Sequence, residues 1–501
     1  MHSGDEVCAL PAGELAHRIR ARQLSPVEVL DAVLERMDRL EPTLQAFCTP
    51  TPELARENAA RVERAIMAGG ELGALAGVPV GIKDLIATKG IRTVGGSAAY
   101  REFVPDEDDI VVERLRAADA VILGKTNVPE FGYSAVGHNP VFPTTRNPWN
   151  PDMTPGGSSA GSGAAVATGM GPIAIGSDGG GSVRIPAAHC GVVGVKASMG
   201  RVPLYPGCRD ERYPGFSSWE SLEHIGPISR TVSDAALVLE VIAGPDLRDR
   251  HSIPTADVNW IAAVGRDPGP LRIAFSADLG YAAVDPEVRN IVTRAAQVFE
   301  RDLGCLVEER DPGWQDPYED FWGIVALDSD LVGMRKLVHE HGRDMTPHLV
   351  DFITRPWTAE EITSAVVTRK ALCNKMWHLM SECDLLLSPT LTVPPFPVHM
   401  QGPEKVDDRT VPPFAWLSFT LPINLTGQPA VSVPAGWTDT GLPVGVQLVG
   451  RHLDDETVLA AAAAFERVAN WHDRWPAMVG ADSGKVAGSA TAQRRSGGAG
   501  R

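Results

Sequence analysis

Residues 154–197, TPGGSSAGSGAAVATGMGPIAIGSDGGGSVRIPAAHCGVVGVKA, are the stretch around which we expect the fold to form. Glycines and other small residues alternate there with short apolar runs, and the stretch contains two separated serine sites, Ser158 and Ser182. Such a pattern is typical of a backbone that turns tightly, approaches a ligand closely and still remains packed. We therefore interpret it as the floor of an active site.

Three glycines directly precede Ser182. The run 179–181 follows a predicted strand at 173–175, so its unhindered backbone N–H groups can converge beside the Ser182 hydroxyl. Convergent N–H donors are what an oxyanion hole requires, and loss of one donor typically costs about 3 to 4 kcal/mol of transition-state stabilisation. A flexible glycine-serine linker is the alternative, but apolar runs on both sides weigh against it. The expected oxyanion hole consists of Gly179, Gly180, Gly181 and Ser182.

Other nucleophile motifs fit this stretch poorly. Residues 157–161 satisfy GxSxG, but the nucleophile elbow of α/β-hydrolases needs a strand directly before it, which the proline-rich residues 146–155 cannot form. No lysine in the chain has a serine three residues before it, which excludes an SxxK motif. A phosphate-binding loop needs a lysine within its glycine-rich turn, and the first lysine of the stretch is Lys196.

A single lysine interrupts an apolar run at 75–86, LAGVPVGIKDLI. The run is rich in β-branched residues and predicts a buried strand with its turn. Lys83 is therefore a candidate functional residue. The alternative is ordinary for lysine: the aliphatic stem lies in the core while the ammonium reaches the surface.

Helices and strands alternate along the rest of the chain. A capping box at 25–28 predicts an amphipathic helix, and a second helix begins near 51–53. Further patterns predict helices at 109–118, 231–243, 285–301, 315–341, 358–382 and 454–468, and strands at 121–123, 271–275, 305–307, 384–387 and 444–449. Residues 138–155 predict a long irregular loop, which in a compact domain is usually functional. The alternation indicates an α/β fold with a largely buried sheet.

Composition excludes several classes of partner. The chain has 501 residues and a net charge of −17, so a polyanion such as nucleic acid is not an expected ligand. Seven cysteines are scattered without a CxxC pair, which predicts buried thiols in a reducing compartment. The N-terminus lacks a signal-peptide pattern and no apolar segment is long enough to span a bilayer, so we expect a cytoplasmic protein without membrane contact.

Taken together, the motifs resemble those of the amidase signature family. The family pattern stands here as GGSS, SD, GGS and VR at 156–159, 177–178, 180–182 and 183–184, with GIKD at 81–84. Ser182 follows Ser158 by 24 residues and Lys83 precedes Ser158 by 75, as in that family. Similar segments stand at 124–130, 226–230, 384–390 and 424–430, so the resemblance covers nearly the whole chain.

The resemblance implies a Ser-Ser-Lys triad. Ser182 would be the nucleophile, Ser158 the bridging serine, typically preceded by a cis peptide, and Lys83 the base. Burial makes this consistent, because a desolvated lysine has a lowered pKa and can exist as a neutral amine. Ser182 would attack an amide carbonyl, the glycine-loop N–H groups would hold the oxyanion, and water would hydrolyse the acyl-enzyme.

The same resemblance implies the architecture: one large domain with a central mixed sheet covered by helices on both faces. We expect an amidase domain over residues 1–482, with N-terminal helices at 1–70, a signature core at about 75–245 and a C-terminal part at 246–482. A disordered tail is expected over 483–501, which contains mostly Gly, Ser, Ala and Arg. No metal or organic cofactor is implied, and the spacing of His339, His341 and His348 fits no zinc motif.

Supporting residues surround the implied triad. We expect Ser159 to fix local hydrogen bonds, and Asp178 with Arg184 to support the glycine loop from below. His189 stands where the family usually has an aromatic residue. Because the triad already supplies a base, we expect His189 to be packed core.

The substrate is the least determined feature. Members of the family hydrolyse fatty acid, aryl and peptide amides, malonamate and carbamates, so fold and triad do not choose among them. An aromatic-rich loop and three further aromatics suggest an acyl pocket for an aryl or otherwise apolar small-molecule amide. Its candidate lining residues are Phe131, Tyr133, Tyr205, Phe216, Trp219 and Trp416. The alternative is the glutaminase subunit of a transfer-RNA amidotransferase, and a homodimer is compatible with either interpretation.

Overall fold

The computed structural model describes residues 4–480. Within that part of the chain it contains thirteen strands and sixteen α-helices. The strands are β1 Phe47–Pro50, β2 Pro79–Lys83, β3 Val121–Thr126, β4 Ile173–Ser177, β5 Val193–Lys196, β6 Ile225–Ser229, β7 Arg272–Phe275, β8 Leu306–Glu309, β9 Leu385–Pro389, β10 Lys405–Val406, β11 Arg409–Thr410, β12 Ala430–Trp437 and β13 Pro443–Gly450. The helices are α1 Gly4–Ala9, α2 Ala12–Arg20, α3 Pro26–Leu44, α4 Pro52–Met67, α5 Ile110–Ala117, α6 Ala160–Ala167, α7 Arg184–Cys190, α8 Val232–Ile242, α9 Trp260–Gly265, α10 Pro286–Arg301, α11 Tyr318–Asp328, α12 Leu331–His341, α13 Pro347–Thr354, α14 Ala359–Glu382, α15 Leu421–Thr426 and α16 Asp455–Ala469.

Eleven of these strands form one mixed sheet in the order β1-β3-β2-β4-β6-β5-β12-β13-β9-β7-β8. The pairs β3-β2 and β2-β4 are parallel, as are β9-β7 and β7-β8. All other neighbouring pairs of the sheet, including β1-β3 at one edge, are antiparallel. Every residue of β2, β3, β4, β6 and β9 is buried, which requires that helices cover both faces of the sheet. The predicted α/β fold with a central mixed sheet is confirmed.

The centre of the sheet positions Lys83 and the start of the glycine-rich loop. Because β2 and β4 are parallel neighbours, with Ile82 opposite Ile175, their carboxyl ends lie at the same edge of the sheet. Lys83 ends β2 and Ser177 ends β4. Residues 178–183 then lead into α7, which packs against α6 closely enough that a Cβ at Gly163 would lie 2.9 Å from Pro186.

Most predicted elements are confirmed within a few residues, and one is wrong. The pattern at 315–341 forms two helices, because the chain leaves the helical conformation at Ser329 and Asp330 caps the next helix by accepting a hydrogen bond from the Gly333 N–H. Strands β1, β5, β6 and β12 were not predicted, since glycine, proline or short length weakens their pattern. Residues 138–155 contain neither helix nor strand, as expected, and include only an isolated bridge between Met153 and Pro397.

The sequence also led to predictions about the C-terminal tail and about membrane-spanning segments. The predicted disordered tail at 483–501 lies outside the described residues. Across residues 4–480, every helix is too short or too polar to cross a membrane.

Candidate active site

Lys83 lies at the centre of the candidate site and is fully buried. Its Nζ donates hydrogen bonds to Ser158 Oγ at 2.8 Å, to Ser177 Oγ at 2.8 Å and to the Ser177 carbonyl at 3.1 Å. The ammonium therefore does not reach the surface, and the alternative of an ordinary extended lysine is wrong. Strand β2 delivers the lysine, β4 delivers Ser177, and the loop before α6 delivers Ser158.

The surroundings of Lys83 favour its neutral form. Burial lowers the pKa of Lys83 to about 8, while the negative charges of Glu223 and Asp178 partly oppose that shift. A lysine with such a pKa has a substantial neutral fraction near neutral pH, which an exposed lysine lacks. The neutral amine can accept a proton from the Ser158 hydroxyl that it contacts.

Ser158 and Ser182 face the same cavity, and each is mostly buried, with 2% and 9% exposure. The Gly157–Ser158 peptide is cis, as the family resemblance implies. The two segments are tied together by a hydrogen bond from the Ser159 N–H to the Ser182 carbonyl at 3.2 Å. Among the described residues the two hydroxyls make no direct hydrogen bond, and catalytic hydrogen bonds are often long outside the substrate complex.

The loop at 178–182 presents backbone donors toward the cavity, but not every donor that the sequence suggested. The Gly181 N–H donates to Asp178 Oδ1 at 2.7 Å, so it is already used and the prediction that it serves the oxyanion hole is wrong. Within residues 4–480, the N–H groups of Gly179, Gly180 and Ser182 have no protein acceptor. These three donors are available to an oxyanion.

The glycines of this loop are required by close approach. At Gly179 a Cβ would lie 2.5 Å from Glu223 Oε2, and at Gly181, where φ is +119°, it would lie 2.5 Å from Thr420. Contacts this short do not occur for real Cβ atoms. A side chain at Gly179 would therefore displace Glu223 and Trp219 in the cavity wall, and one at Gly181 would displace Thr420.

A buried ion pair supports the loop from beneath. The guanidinium of Arg184 donates to both carboxylate oxygens of Asp178 at 2.9 Å, and both side chains are fully buried. Burial alone would raise the pKa of Asp178, but the charge and hydrogen bonds of Arg184 hold it well below its usual value. Ser159 Oγ donates to the Ser177 carbonyl at 3.2 Å and accepts from the Ser177 N–H at 3.3 Å, which joins α6 to β4. The structure thus places these residues where they can hold the loop.

The cavity itself has a volume of about 850 Å³, including the part open to solvent. Four of the predicted lining residues are there: Phe131, Tyr133, Phe216 and Trp219. Residues distant in sequence complete the apolar wall, and no sequence pattern indicated them. They include Phe321, Trp322, Phe414, Leu417 and Leu421.

Two predicted lining residues lie elsewhere. Trp416 is fully buried; its indole N–H donates to the Gln401 carbonyl, and its ring stacks on His189 at 5.5 Å. Tyr205 is partly exposed and stands beside Arg248. Among the described residues neither side chain borders the cavity, because Trp416 packs on His189 and Tyr205 lies beside Arg248, and the assignment of both as lining residues is corrected. His189 is buried outside the cavity as well.

Sequence reasoning missed several polar residues at the cavity, and two of them, Ser177 and Glu223, lie near Lys83 or the glycine loop. Ser177 supplies both a hydroxyl and a carbonyl to Lys83, and Glu223 borders the cavity beside Gly179. Ser177 belongs to the SD motif at 177–178. Its position after a predicted strand could have indicated that it lies near Lys83. Glu223 lies between recognisable elements, and no sequence pattern indicated that it borders the cavity.

Within the described residues there is no group of three or more His, Cys, Asp or Glu side chains arranged to hold a metal ion. The chemistry that this arrangement can perform is nucleophilic: a hydroxyl, a relay hydroxyl, a buried amine and free N–H donors around one cavity.

Comparisons with known proteins agree with this arrangement. The family model named Amidase matches residues 28–459. An acylamidase of Rhodococcus erythropolis is 38% identical over 478 residues, which is 93% of this chain and 97% of that protein. The A subunit of a glutamyl-tRNA(Gln) amidotransferase of Geobacter metallireducens is 33% identical over 496 residues, which is 93% of this chain and 99% of that protein. The crystal structure of a bacterial aryl acylamidase of the amidase signature family has a TM-score of 0.86 at 31% identity, covering 95% of this chain and 99% of that one.

Proposed function

We propose that this chain, which belongs to the amidase family and hydrolyses amide C–N bonds, is a free-standing acylamidase for aryl or otherwise apolar amides. The main observation that supports the proposal is the apolar, aromatic-lined cavity that Ser182 borders. Apolar walls of this kind bind an aryl or alkyl group by excluding water from both surfaces. The acylamidase and aryl acylamidase relatives support the same substrate class.

The proposed mechanism uses the three residues at the cavity in sequence. Ser182 Oγ attacks the amide carbonyl carbon while its proton passes to Ser158 Oγ and the Ser158 proton passes to the neutral amine of Lys83. The carbonyl electron pair moves to oxygen, where the N–H groups of Gly179, Gly180 and Ser182 hold it. When the C–N bond breaks, the proton returns through Ser158 to the leaving amine.

Water completes the cycle. It attacks the carbonyl of the acyl-enzyme, again giving its proton to Lys83 through Ser158, and the Ser182 oxygen leaves as a hydroxyl. The products are a carboxylate and an amine or ammonia. Neutral Lys83 is needed in both halves, so its burial serves acylation and deacylation alike.

A second candidate function is the glutaminase subunit of a transfer-RNA amidotransferase, which the similarity to such subunits favours. The cavity argues against it. A glutamine substrate carries an α-carboxylate, yet among the described residues that line the cavity there is no Lys or Arg to pair with it. The acidic side chains at the lining are Asp109 and Glu223, whose pKa values burial raises to about 8 and about 7, and neither can attract the α-carboxylate of glutamine.

The test combines active-site labelling with a substrate panel. A fluorophosphonate should label Ser182, identified by peptide mapping, and Ser182→Ala should abolish the label. An aryl anilide should be hydrolysed at least about tenfold faster than glutamine or malonamate at equal concentration, because the apolar wall discriminates by transfer free energy. Equal turnover of glutamine, or a label on another residue, would contradict the proposal.

A further inference from the structure

Glu223 occupies a position that the proposed mechanism does not use. Its carboxylate borders the cavity directly beneath the oxyanion loop, at a point where a Cβ on Gly179 would lie 2.5 Å from Oε2. The backbone fixes this position, because the neighbouring residue His224 exchanges two hydrogen bonds with Asp178, from the Asp178 N–H at 2.7 Å and to the Asp178 carbonyl at 3.2 Å. Glu223 is therefore held at the end of the β4-β6 ladder rather than on a free loop.

The Ser177 hydroxyl lies between Glu223 and Lys83. The Lys83 ammonium donates to Ser177 Oγ at 2.8 Å. Ser177 pairs with Ile225, two residues after Glu223, and its hydroxyl is near enough to the Glu223 carboxylate to lower the pKa of that group. The charge of Lys83 in turn opposes the rise in the pKa of Glu223 that burial causes.

The other ionisable groups near Lys83 are already occupied or neutral. Asp178 is bound on both oxygens by Arg184. Burial raises the pKa of the Cys208 thiol well above its ordinary value, so that group carries no charge near neutral pH. Asp178 itself also faces Glu223 and repels its charge. Among the described residues that act on Lys83, Glu223 is thus the carboxylate without a cation of its own.

We propose that Glu223 is the counter-ion of Lys83: acting through Ser177, it stabilises the ammonium that forms when the lysine accepts the proton of the nucleophile. This inference rests on the proposed function, in which Lys83 is the base. The role parallels that of the aspartate in a Ser-His-Asp triad, which stabilises the protonated base and holds its orientation. Glu223 is a positioning residue in this scheme, since it acts on the lysine and not on the substrate.

Glu223→Gln tests the proposal, because it removes the charge and keeps the shape. Without the carboxylate the ammonium is less stable, so the midpoint of the acidic limb in the pH profile of kcat/KM should move to lower pH by about one unit. The amine is then also a weaker base, so the plateau rate should fall, by roughly tenfold or more. A residue that only packed the loop would lower the plateau and leave the midpoint unchanged.

Glu223→Asp is the matched control, because it keeps the charge. Its midpoint should stay closer to the wild-type value than that of Glu223→Gln. If Glu223→Gln does not fold, Ser177→Ala removes the connecting hydroxyl instead, and its midpoint should also move to lower pH. A midpoint that is unchanged in the folded variant, or that moves to higher pH, overturns the counter-ion role.

Different results would contradict the proposed mechanism and the counter-ion role of Glu223. If Lys83→Met retains wild-type activity, the assignment of the base is wrong and the proposed mechanism falls with it. If Lys83→Met is inactive but the midpoint of Glu223→Gln matches that of the wild type, only the counter-ion role is overturned.

Discussion

Lys83 and Lys125 lie on neighbouring parallel strands, and both are completely buried, yet they have different surroundings. In the register of β2 and β3, Lys125 stands beside Ile82, the residue before Lys83. Burial lowers the pKa of each amine to about 8. Burial and pKa therefore do not distinguish the two lysines.

The hydrogen-bond partners of Lys83 and Lys125 distinguish the two lysines. Lys83 donates to Ser158, which faces the cavity, whereas Lys125 donates to the Ile86 carbonyl and to Thr88 Oγ1 and faces the carboxylate of Asp84. A carbonyl cannot pass on a proton, and neither partner of Lys125 reaches the nucleophile. The comparison indicates that access to the cavity through a hydroxyl, and not burial, makes one amine a candidate base.

The largest effect should come from replacing each lysine in turn. Lys83→Met removes the proposed base, so kcat/KM for an aryl anilide should fall by about 10³-fold with Ser182 still present. Lys125→Met should instead lower stability, by roughly 3 kcal/mol, because Asp84 is left buried without its cation. Turnover per folded molecule and thermal unfolding measure the two effects separately. Equal rate losses in the two variants would break the comparison.

The pH dependence of activity tests the same difference between Lys83 and Lys125. The base must be neutral, and the neutral fraction of Lys83 rises as pH increases through its pKa of about 8. Activity should therefore rise by about tenfold per pH unit below pH 7, rise more gradually from there to pH 8, and level off above about pH 9. Lys125→Met should keep the midpoint of the wild type wherever it remains folded. A flat profile from pH 6 to 9 would contradict the role of Lys83.

The sequence permitted much of this site to be predicted, because the informative motifs are local. Ser158, Ser182 and Lys83 stand in short patterns whose resemblance to the amidase signature motifs implied a joint role, and the structure brings Lys83 and Ser158 within 2.8 Å. The alternation of apolar runs was likewise enough to indicate a buried sheet, since strands buried on both faces need only be apolar.

The rest depends on contacts between distant segments. Glu223 approaches Lys83 only because β6 pairs with β4, and no local pattern reports that pairing. The Gly181 N–H is consumed by Asp178, a detail of loop geometry that a run of glycines does not reveal. The cavity wall from Phe321 and Leu421 comes from helices more than a hundred residues after the glycine loop.

The aromatic residues of one loop give a smaller, matched test of cavity access. Phe216 borders the cavity and Tyr205 does not, although both belong to the same irregular segment. Phe216→Ala should lower kcat/KM for an aryl anilide by about tenfold, because the apolar contact with the acyl or aryl group is lost. Tyr205→Ala should change it by less than about twofold. Similar losses in both variants would show that the loop acts through its conformation and not through the cavity.

The smallest effect is expected at His189, a buried titratable group without cavity access. Its ring stacks on Trp416 with an interplanar angle of 7°, Nε2 lies 3.3 Å from the Val393 carbonyl, and Nδ1 has no partner among the described residues. Burial lowers the pKa of His189 to about 4, so the ring stays neutral wherever the enzyme is active. His189→Phe keeps the stack and removes the unpartnered nitrogen at the cost of one weak hydrogen bond. Stability should therefore change by no more than about 1 kcal/mol, and kcat/KM by less than about threefold at both pH 6 and pH 9. A shift in the acidic limb of the profile would mean that a buried group can control the chemistry without reaching the cavity, contrary to what the two lysines indicate.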